Sequence, residues 1–323
     1  MSQGEILPEL PEVETIVRGL QGLLPGRSIV SVEMGKTDFI ENPEALDREL
    51  PGCRIAQIGR HGKFIVVTLH QKLMISAVAD EEPDKLLLIH LGMTGQLIVC
   101  SAAAPLAPHT HVRFALDDGH ELRYTDIRRF GSMRVIPEGL RQKYLGPLGA
   151  DPLDAGVEAF RGRLAGRRAR VKALLLDQHV FRGMGNIYTD ESLWRARIHP
   201  ARIAAELRHE EITRLHEGVL KVLREAIRLR GSSVSDYVDA NGEQGEFQLR
   251  HRVYQREGKK CFRCGSLIRR IAVAGRSSYF CPRCQPAPRQ KHSRKPGKRD
   301  DLRREAQRQK YMRAAPATLN TAP

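Results

Sequence analysis

The chain has 323 residues, 41% of them apolar, which is enough to build a sizeable core divided over about two domains of roughly 100–200 residues each. Its 53 Lys and Arg against 38 Asp and Glu give a formal charge of +15, which disfavours basic partners and favours a polyanion such as nucleic acid. No apolar run approaches the ~18 residues that span a bilayer, and the N-terminus lacks the basic-then-apolar pattern of an export signal, so a cytoplasmic protein off the membrane is expected.

The charge is unevenly spread. Residues 286–323 carry eleven Lys or Arg against Asp300, Asp301 and Glu305, a net of +8, and leave +7 on residues 1–285. This tail is poor in large apolar residues and reads as disordered, either a solubilising appendage or an electrostatic arm.

Taken in chain order, a helix is expected from Glu12 to about Leu23, because Val13, Val17, Leu20 and Leu24 fall on one helical face. Short runs rich in Val, Ile and Leu follow at 28–34, 54–58, 63–69, 85–89, 96–99, 112–116 and 121–124, several separated by turns such as Asp117-Asp118-Gly119. Regular short strands of this kind predict a sandwich or barrel, with 77–83 as an acidic loop. The period then changes, and 157–164, 171–176, 187–196, 203–207 and 210–228 read as helices. Beyond Gly242 the pattern breaks into a small cysteine-bearing module ending near Gln285. The division expected is therefore α+β and multidomain: an extension at 1–7, a β-sandwich at 8–135, a helical domain at 136–242, a zinc module at 243–285 and the tail at 286–323.

Four of the six cysteines fall within 24 residues, as Cys261-x2-Cys264-x16-Cys281-x2-Cys284. Two such knuckles can place four thiolates tetrahedrally around one Zn2+, and the 16-residue spacer is long enough for a β-hairpin. Two disulfides are disfavoured in a reducing cytosol. A complete thiolate shell leaves no open position for a catalytic water, so the zinc is expected to be structural. The spacer holds Arg269, Arg270 and Arg276 and no acid, which suits phosphate contact as well as plain solvation. Cys53 and Cys100 lie in or beside strand-like runs and read as buried apolar residues.

Between two predicted helices, Gly183-Met184-Gly185-Asn186 forms a glycine-bracketed turn in which Asn186 stands where an N-cap is needed. Open amides at that helix start would suit a phosphate, although two glycines and a cap also suit an ordinary connection. The basic residues Arg161, Arg163, Arg167, Arg168, Arg170 and Lys172 just upstream favour nucleic-acid contact or form a solvated face.

The stretch Pro8-Glu9-Leu10-Pro11-Glu12-Val13-Glu14-Thr15 has two prolines and three acids at the start of a helix. It occurs in order with His90-Leu91-Gly92-Met93-Thr94-Gly95, Asp126-Ile127-Arg128-Arg129-Phe130-Gly131, Gly185-Asn186-Ile187-Tyr188-Thr189-Asp190-Glu191 and the four cysteines. Over about residues 8–285 the set resembles the formamidopyrimidine-DNA glycosylase family of bacterial base-excision repair. The resemblance implies a β-sandwich, a helix–two-turn–helix domain and a zinc finger. It also implies a monomer acting on damaged double-stranded DNA, excising oxidised purines such as 8-oxoguanine and cleaving the abasic strand by β,δ-elimination.

Residue by residue, the resemblance makes Pro8 the nucleophile, Glu9 its acid/base partner, and Lys63 the lysine that contacts the damaged nucleotide's backbone. Met93, Arg128 and Phe130 would fill the gap left by an extruded base. Asn186 and Arg276 would clamp phosphate, with Arg276 also assisting δ-elimination, and His109 and Arg167 would contact DNA. Glu191 would lie near the lesion-recognition region. The zinc ligands would be Cys261, Cys264, Cys281 and Cys284. One departure stands out: seven residues precede Pro8, and an internal proline nitrogen is a tertiary amide that cannot form an iminium. The expectation is initiation at Leu7, through a Leu codon used as a start, with removal of the initiator residue exposing Pro8. The alternative is a lesion-binding homologue without lyase activity.

Overall fold

A computed structural model describes residues 7–71, 84–233 and 237–288. The expected 77–83 loop and almost all of the expected basic tail lie outside the described residues. So do residues 1–6.

Helix α1 (Leu10–Gln21) opens with Pro11 in its first turn and turns Val13, Ile16, Val17 and Leu20 inward. It begins two residues before the position expected, because Glu9 and Pro11 already suit a helix entrance. Strand β1 (Ile29–Met34), helix α2 (Pro43–Glu49), and strands β2 (Cys53–His61), β3 (Phe64–Gln71), β4 (Lys85–His90), β5 (Gly95–Ser101), β6 (Thr110–Leu116), β7 (His120–Asp126) and β8 (Ser132–Pro137) follow. Helix α2 and strand β8 were not expected from the sequence. The first carried a readable signal: the Asn42 side chain accepts from the Ala45 amide and Pro43 opens the helix.

The strands form two antiparallel four-stranded sheets, ordered β1-β6-β7-β5 and β2-β3-β4-β8. One apolar core fills the space between them and includes Ile58, Ile65, Val67, Leu87, Ile89, Leu97, Phe114 and Tyr124. The second sheet is covered on its other face too, where Val66, Leu86, Leu88 and Ile136 pack with Leu145. This double burial is why β4 reads as the continuous run Leu86-Leu87-Leu88-Ile89 instead of alternating.

Helices α3 (Arg141–Leu145), α4 (Val157–Leu164), α5 (Val171–Leu176), α6 (Asn186–Ala196) and α7 (His209–Arg228) make up the helical part. Residues 203–207 hold only a 3-10 turn, Ala204–Glu206, instead of the expected helix. The helical core includes Phe160, Leu175, Phe181, Tyr188, Leu193, Leu215 and Leu223, and it takes in Leu10 of α1. Helix α1 therefore joins two cores: Leu10 belongs to the helical one, and Val13 to Leu20 belong to the sandwich. A hairpin of β9 (Arg269–Val273) and β10 (Arg276–Phe280) completes the fold. Among the described residues no helix is long and apolar enough to cross a membrane.

Candidate active site and zinc module

Because α1 starts at the seam between the two cores, Pro8 and Glu9 stand at the edge of both. Glu9 is 3% exposed, and its carboxylate accepts from the amides of Ile187 (3.0 Å) and Tyr188 (3.4 Å) at the start of α6. This corrects two expectations. Asn186 is not an N-cap but the first residue of α6, and it makes no side-chain cap bond. The amides expected to stand open for phosphate are taken by Glu9, which satisfies them from another element and places its charge at the positive helix end. Gly185 is needed for this arrangement, since a Cβ there would lie 2.1 Å from the Glu9 carboxyl carbon.

Behind Glu9, Glu12 is fully enclosed and gathers three donors. Its carboxylate accepts from the Glu9 amide (2.9 Å), the Ser232 amide (2.7 Å) and the Tyr188 hydroxyl. Ser232 Oγ lies 3.2 Å from His251 Nε2, extending the network. Glu12 thus ties the α1 entrance to α6 and to the segment after α7. From the sequence Pro11 and Glu12 suit only a helix first turn, although the Glu9-x-x-Glu12 spacing of a reciprocal cap was legible.

A cleft of about 440 Å3 opens in front of Glu9, lined by Leu7, Glu9, Lys63, Gly185, Asn186 and Arg276 among others. Four predicted site residues therefore meet: Glu9 from α1, Lys63 from the β2–β3 turn, Asn186 from α6 and Arg276 from the β9–β10 hairpin. Pro8 is buried beside them, its nitrogen bonded to Leu7. Burial raises the Glu9 carboxyl to a pKa of about 7, against the pull of Lys63. Burial lowers the Lys63 ammonium, with Arg276 adding to the effect while Glu9 and Glu12 oppose it. Burial takes His90, near Lys63, down to about 4, so its ring is neutral at pH 7. Asn186 Oδ1 is buried and has no hydrogen-bond partner, so it is an acceptor left over in the cleft wall.

The rim is built separately. Phe130 is 57% exposed, and the Arg128 guanidinium lies over its ring at 4.5 Å. Asp126 holds this loop in shape. Its carboxylate accepts from Thr94 Oγ1 (2.5 Å), the Gly131 amide (3.0 Å) and the Tyr124 hydroxyl (3.1 Å), and its own amide donates to the His109 carbonyl (3.1 Å). Gly92 lets the Met93 loop press against this one, since a Cβ there would lie 2.3 Å from the Phe130 carbonyl carbon. Met93, His109, Arg128 and Phe130 thus share one anchor, none of them lining the cleft. His109 is exposed with φ of 62°, in the left-handed region. Arg167 stands exposed beyond the end of α4.

Lys172 needs correction. Expected on a DNA-contacting face, it is fully buried and pairs with Asp190 at 2.7 Å. Its ammonium also donates to the Ser277 carbonyl at 2.9 Å, while the Tyr279 amide donates to the other Asp190 oxygen at 2.8 Å. The pair pins β10, which starts with Arg276, to α5 and α6. Glu191 likewise serves the fold: it accepts from the backbone amides of Arg252, Val253 and Tyr254. Cys53 is buried as expected, whereas Cys100 is partly exposed.

The thiolates of Cys261, Cys264, Cys281 and Cys284 all lie within 4.8 Å of one another. Tetrahedral Zn–S bonds of ~2.3 Å require sulfurs about 3.8 Å apart, and the structure has Cys261–Cys284 at 4.0 Å and Cys264–Cys281 at 3.4 Å. The four residues fit one structural zinc. Trp194 of α6 packs on this module with Val253 and Ile268, and its indole N–H points at Cys261 Sγ (3.5 Å).

Comparison with known proteins agrees with this architecture. The model of the formamidopyrimidine-DNA glycosylase N-terminal domain matches residues 7–133, that of the formamidopyrimidine-DNA glycosylase H2TH domain matches 148–238, and that of the zinc finger found in FPG and IleRS matches 258–287. The formamidopyrimidine-DNA glycosylase of Desulforamulus reducens is 43% identical over 288 residues, covering 87% of this chain and 100% of the relative. That of Geobacillus kaustophilus is 44% identical over 286 residues, covering 86% and 100%. Among solved structures, Lactococcus lactis Fpg bound to DNA containing an abasic site superposes with a TM-score of 0.77 at 34% identity, covering 86% of this chain and 100% of that one. MutM bound to DNA containing carbocyclic 8-oxo-G gives 0.76 at 34%, covering 87% and 100%. The chain belongs to the formamidopyrimidine-DNA glycosylase family.

Proposed function

We propose that the chain excises oxidised purines, 8-oxoguanine and formamidopyrimidines, from duplex DNA and then cleaves the abasic strand, acting on the bacterial nucleoid in the cytoplasm. The observation that carries this reading is the convergence of Glu9, Lys63 and Arg276 on one cleft, beside a proline at the seam of two domains. The domain division proposed with it is an extension at 1–7, a β-sandwich at 8–135, a helix–two-turn–helix domain at 136–242, a zinc module at 243–285 and a tail at 286–323.

The nucleophile is the amine of Pro8 in a chain that begins there. A free α-amino group has a pKa near 8, so an appreciable fraction is neutral at pH 7. Its nitrogen attacks C1′ of the damaged nucleotide, and the electrons of the C1′–base bond leave with the base, which takes up a proton. Opening of the sugar ring gives an iminium at C1′, with O4′ protonated. The iminium acidifies the C2′ protons; loss of one expels the 3′ phosphate, and a second elimination expels the 5′ phosphate. Glu9, with its carboxyl at a pKa of about 7, holds and returns protons near the operating pH. Lys63 and Arg276 bring positive charge to the phosphates that leave, and Asn186 adds a polar contact. Phe130, Arg128 and Met93 replace the stacking and pairing lost when the base leaves the helix. His109 and Arg167 hold the backbone.

A second reading rests on one observation: in this chain Pro8 is acylated by Leu7, and Leu7 lines the cleft. In that form the chain binds lesions without forming the iminium. Borohydride trapping on an 8-oxoguanine duplex separates the two, using chains that start at Met1 and at Pro8. A covalent complex with the Pro8 form alone is the expected result. Trapping by neither form overturns the glycosylase–lyase reading, and equal trapping by both removes Pro8 as the nucleophile. Intact-mass measurement of the natively expressed protein tests initiation at Leu7, which retention of residues 1–7 would rule out.

A further inference from the structure

A second cleft, about 480 Å3 in volume, shares no lining residue with the first. Four arginines line it: Arg18 from α1, Arg60 from β2, and Arg224 and Arg228 from α7, against two carboxylates, Glu14 and Asp154. The arginines are not equivalent. Arg60 is spent on the fold, with a side chain only 8% exposed that pairs with Glu14 and Asp151, each at 2.7 Å. Arg18 is 60% exposed and shares Glu14 with Arg60. Arg224 and Arg228 have no carboxylate within ion-pair distance among the described residues, and their i,i+4 spacing puts them on one helix face about 6 Å apart.

Planar guanidiniums without carboxylates, converging on a concave site, match the oxygens of a phosphoryl group. The walls supply more than charge. Leu153 and Ile227 add apolar surface, and Asp154 offers an acceptor for a hydroxyl or amino group. We propose that this cleft binds a phosphoryl group carried on a small molecule of mononucleotide size, with Arg224 and Arg228 holding the phosphoryl oxygens and Arg18 closing over it from α1. The occupant bridges the two cores. Arg18 lies nine residues along α1 from Glu9, roughly 13 Å at ~1.5 Å per residue, so the ligand stiffens the helix that carries the catalytic entrance.

Calorimetric titration of the full-length, zinc-loaded protein tests this with inorganic phosphate and with deoxyguanosine 5′-monophosphate as probes. The nucleotide is expected to bind more tightly than phosphate. In Arg224→Gln/Arg228→Gln, whose exposed side chains are not needed for folding, its affinity is expected to fall at least ~10-fold, as loss of charge-assisted bonds predicts. In Arg276→Gln it is expected to be unchanged. Equal affinity for both probes overturns the mononucleotide-sized occupant. Binding that survives the double substitution, or that vanishes in Arg276→Gln, overturns the site. Displacement of the nucleotide by undamaged duplex overturns it as well, by making the cleft part of the DNA path.

Discussion

Two lysine–carboxylate arrangements stand close together in this fold and behave in opposite ways. Lys172 and Asp190 are both fully buried and touch at 2.7 Å, and the further bonds shown for them are also internal, to the Ser277 carbonyl and from the Tyr279 amide. Lys63 and Glu9 face each other across a cleft without an ion pair among the described residues, and the bonds Glu9 does make go to backbone amides. Burial lowers both lysines and raises both carboxyls to about 7. The shifted pKa therefore does not separate the two; access does. A carboxyl whose partners are all internal holds the fold, and one that borders a cavity can exchange a proton with a substrate.

Exchanging one atom in each carboxyl sharpens this contrast most. Glu9→Gln keeps an acceptor for the Ile187 amide but removes the exchangeable proton, so single-turnover excision should fall ~10²–10⁴-fold while folding stability at pH 7 does not drop. Asp190→Asn leaves Lys172 as an uncompensated buried charge and should cost about 3–5 kcal/mol of stability, read as a lower urea midpoint. A stability loss in Glu9→Gln as large as that in Asp190→Asn would erase the distinction.

Stability against pH probes the same pair with a smaller effect. Glu9 has an ordinary value of 4.5 and about 7 when folded, so the native state holds its proton more tightly than the unfolded state does. That contribution is complete below pH 4.5 and is lost as pH rises through 7; it amounts to on the order of 3 kcal/mol. Urea midpoints should therefore fall between pH 5 and 7, and fall less steeply in Glu9→Gln. Parallel slopes for the two proteins would mean that Glu9 is ionised throughout.

Much of this was legible beforehand. The sandwich, the main helices and the zinc cluster follow from period, turn residues and cysteine spacing, which are local properties of the chain. The convergence of Glu9, Lys63, Asn186 and Arg276 is not local, and only the resemblance to a family joined them. What remained hidden were groups whose role depends on a distant partner. Asn186 has a cap's composition, yet the cap comes from Glu9, more than 170 residues earlier. Lys172 ends a basic run, yet Asp190 takes it inside. Asp126 lay within a quoted motif, but nothing in its neighbours showed that it anchors both Thr94 and Gly131. Strand β8 has a full strand partner on one edge only, β4, with just an isolated Ile40–Met133 bridge on the other, and its Arg134 and closing Pro137 blur the strand signal.

The rim completes the contrast with a group that serves neither fold nor proton transfer. Phe130 is 57% exposed, and Arg128 covers one side of its ring. A solvated side chain contributes within about 0.5 kcal/mol to folding, so Phe130→Ala should leave the urea midpoint in place. In the role proposed for it the ring would substitute for a stacked base, a contact worth about 1–3 kcal/mol. Binding of a lesion duplex, measured by fluorescence anisotropy, should therefore weaken ~5- to 150-fold, while binding of undamaged duplex, held mainly by phosphate contacts, changes far less. Were the midpoint to fall instead, Phe130 would belong with Asp190 as a part of the fold, and its exposure would have another explanation than a wedge.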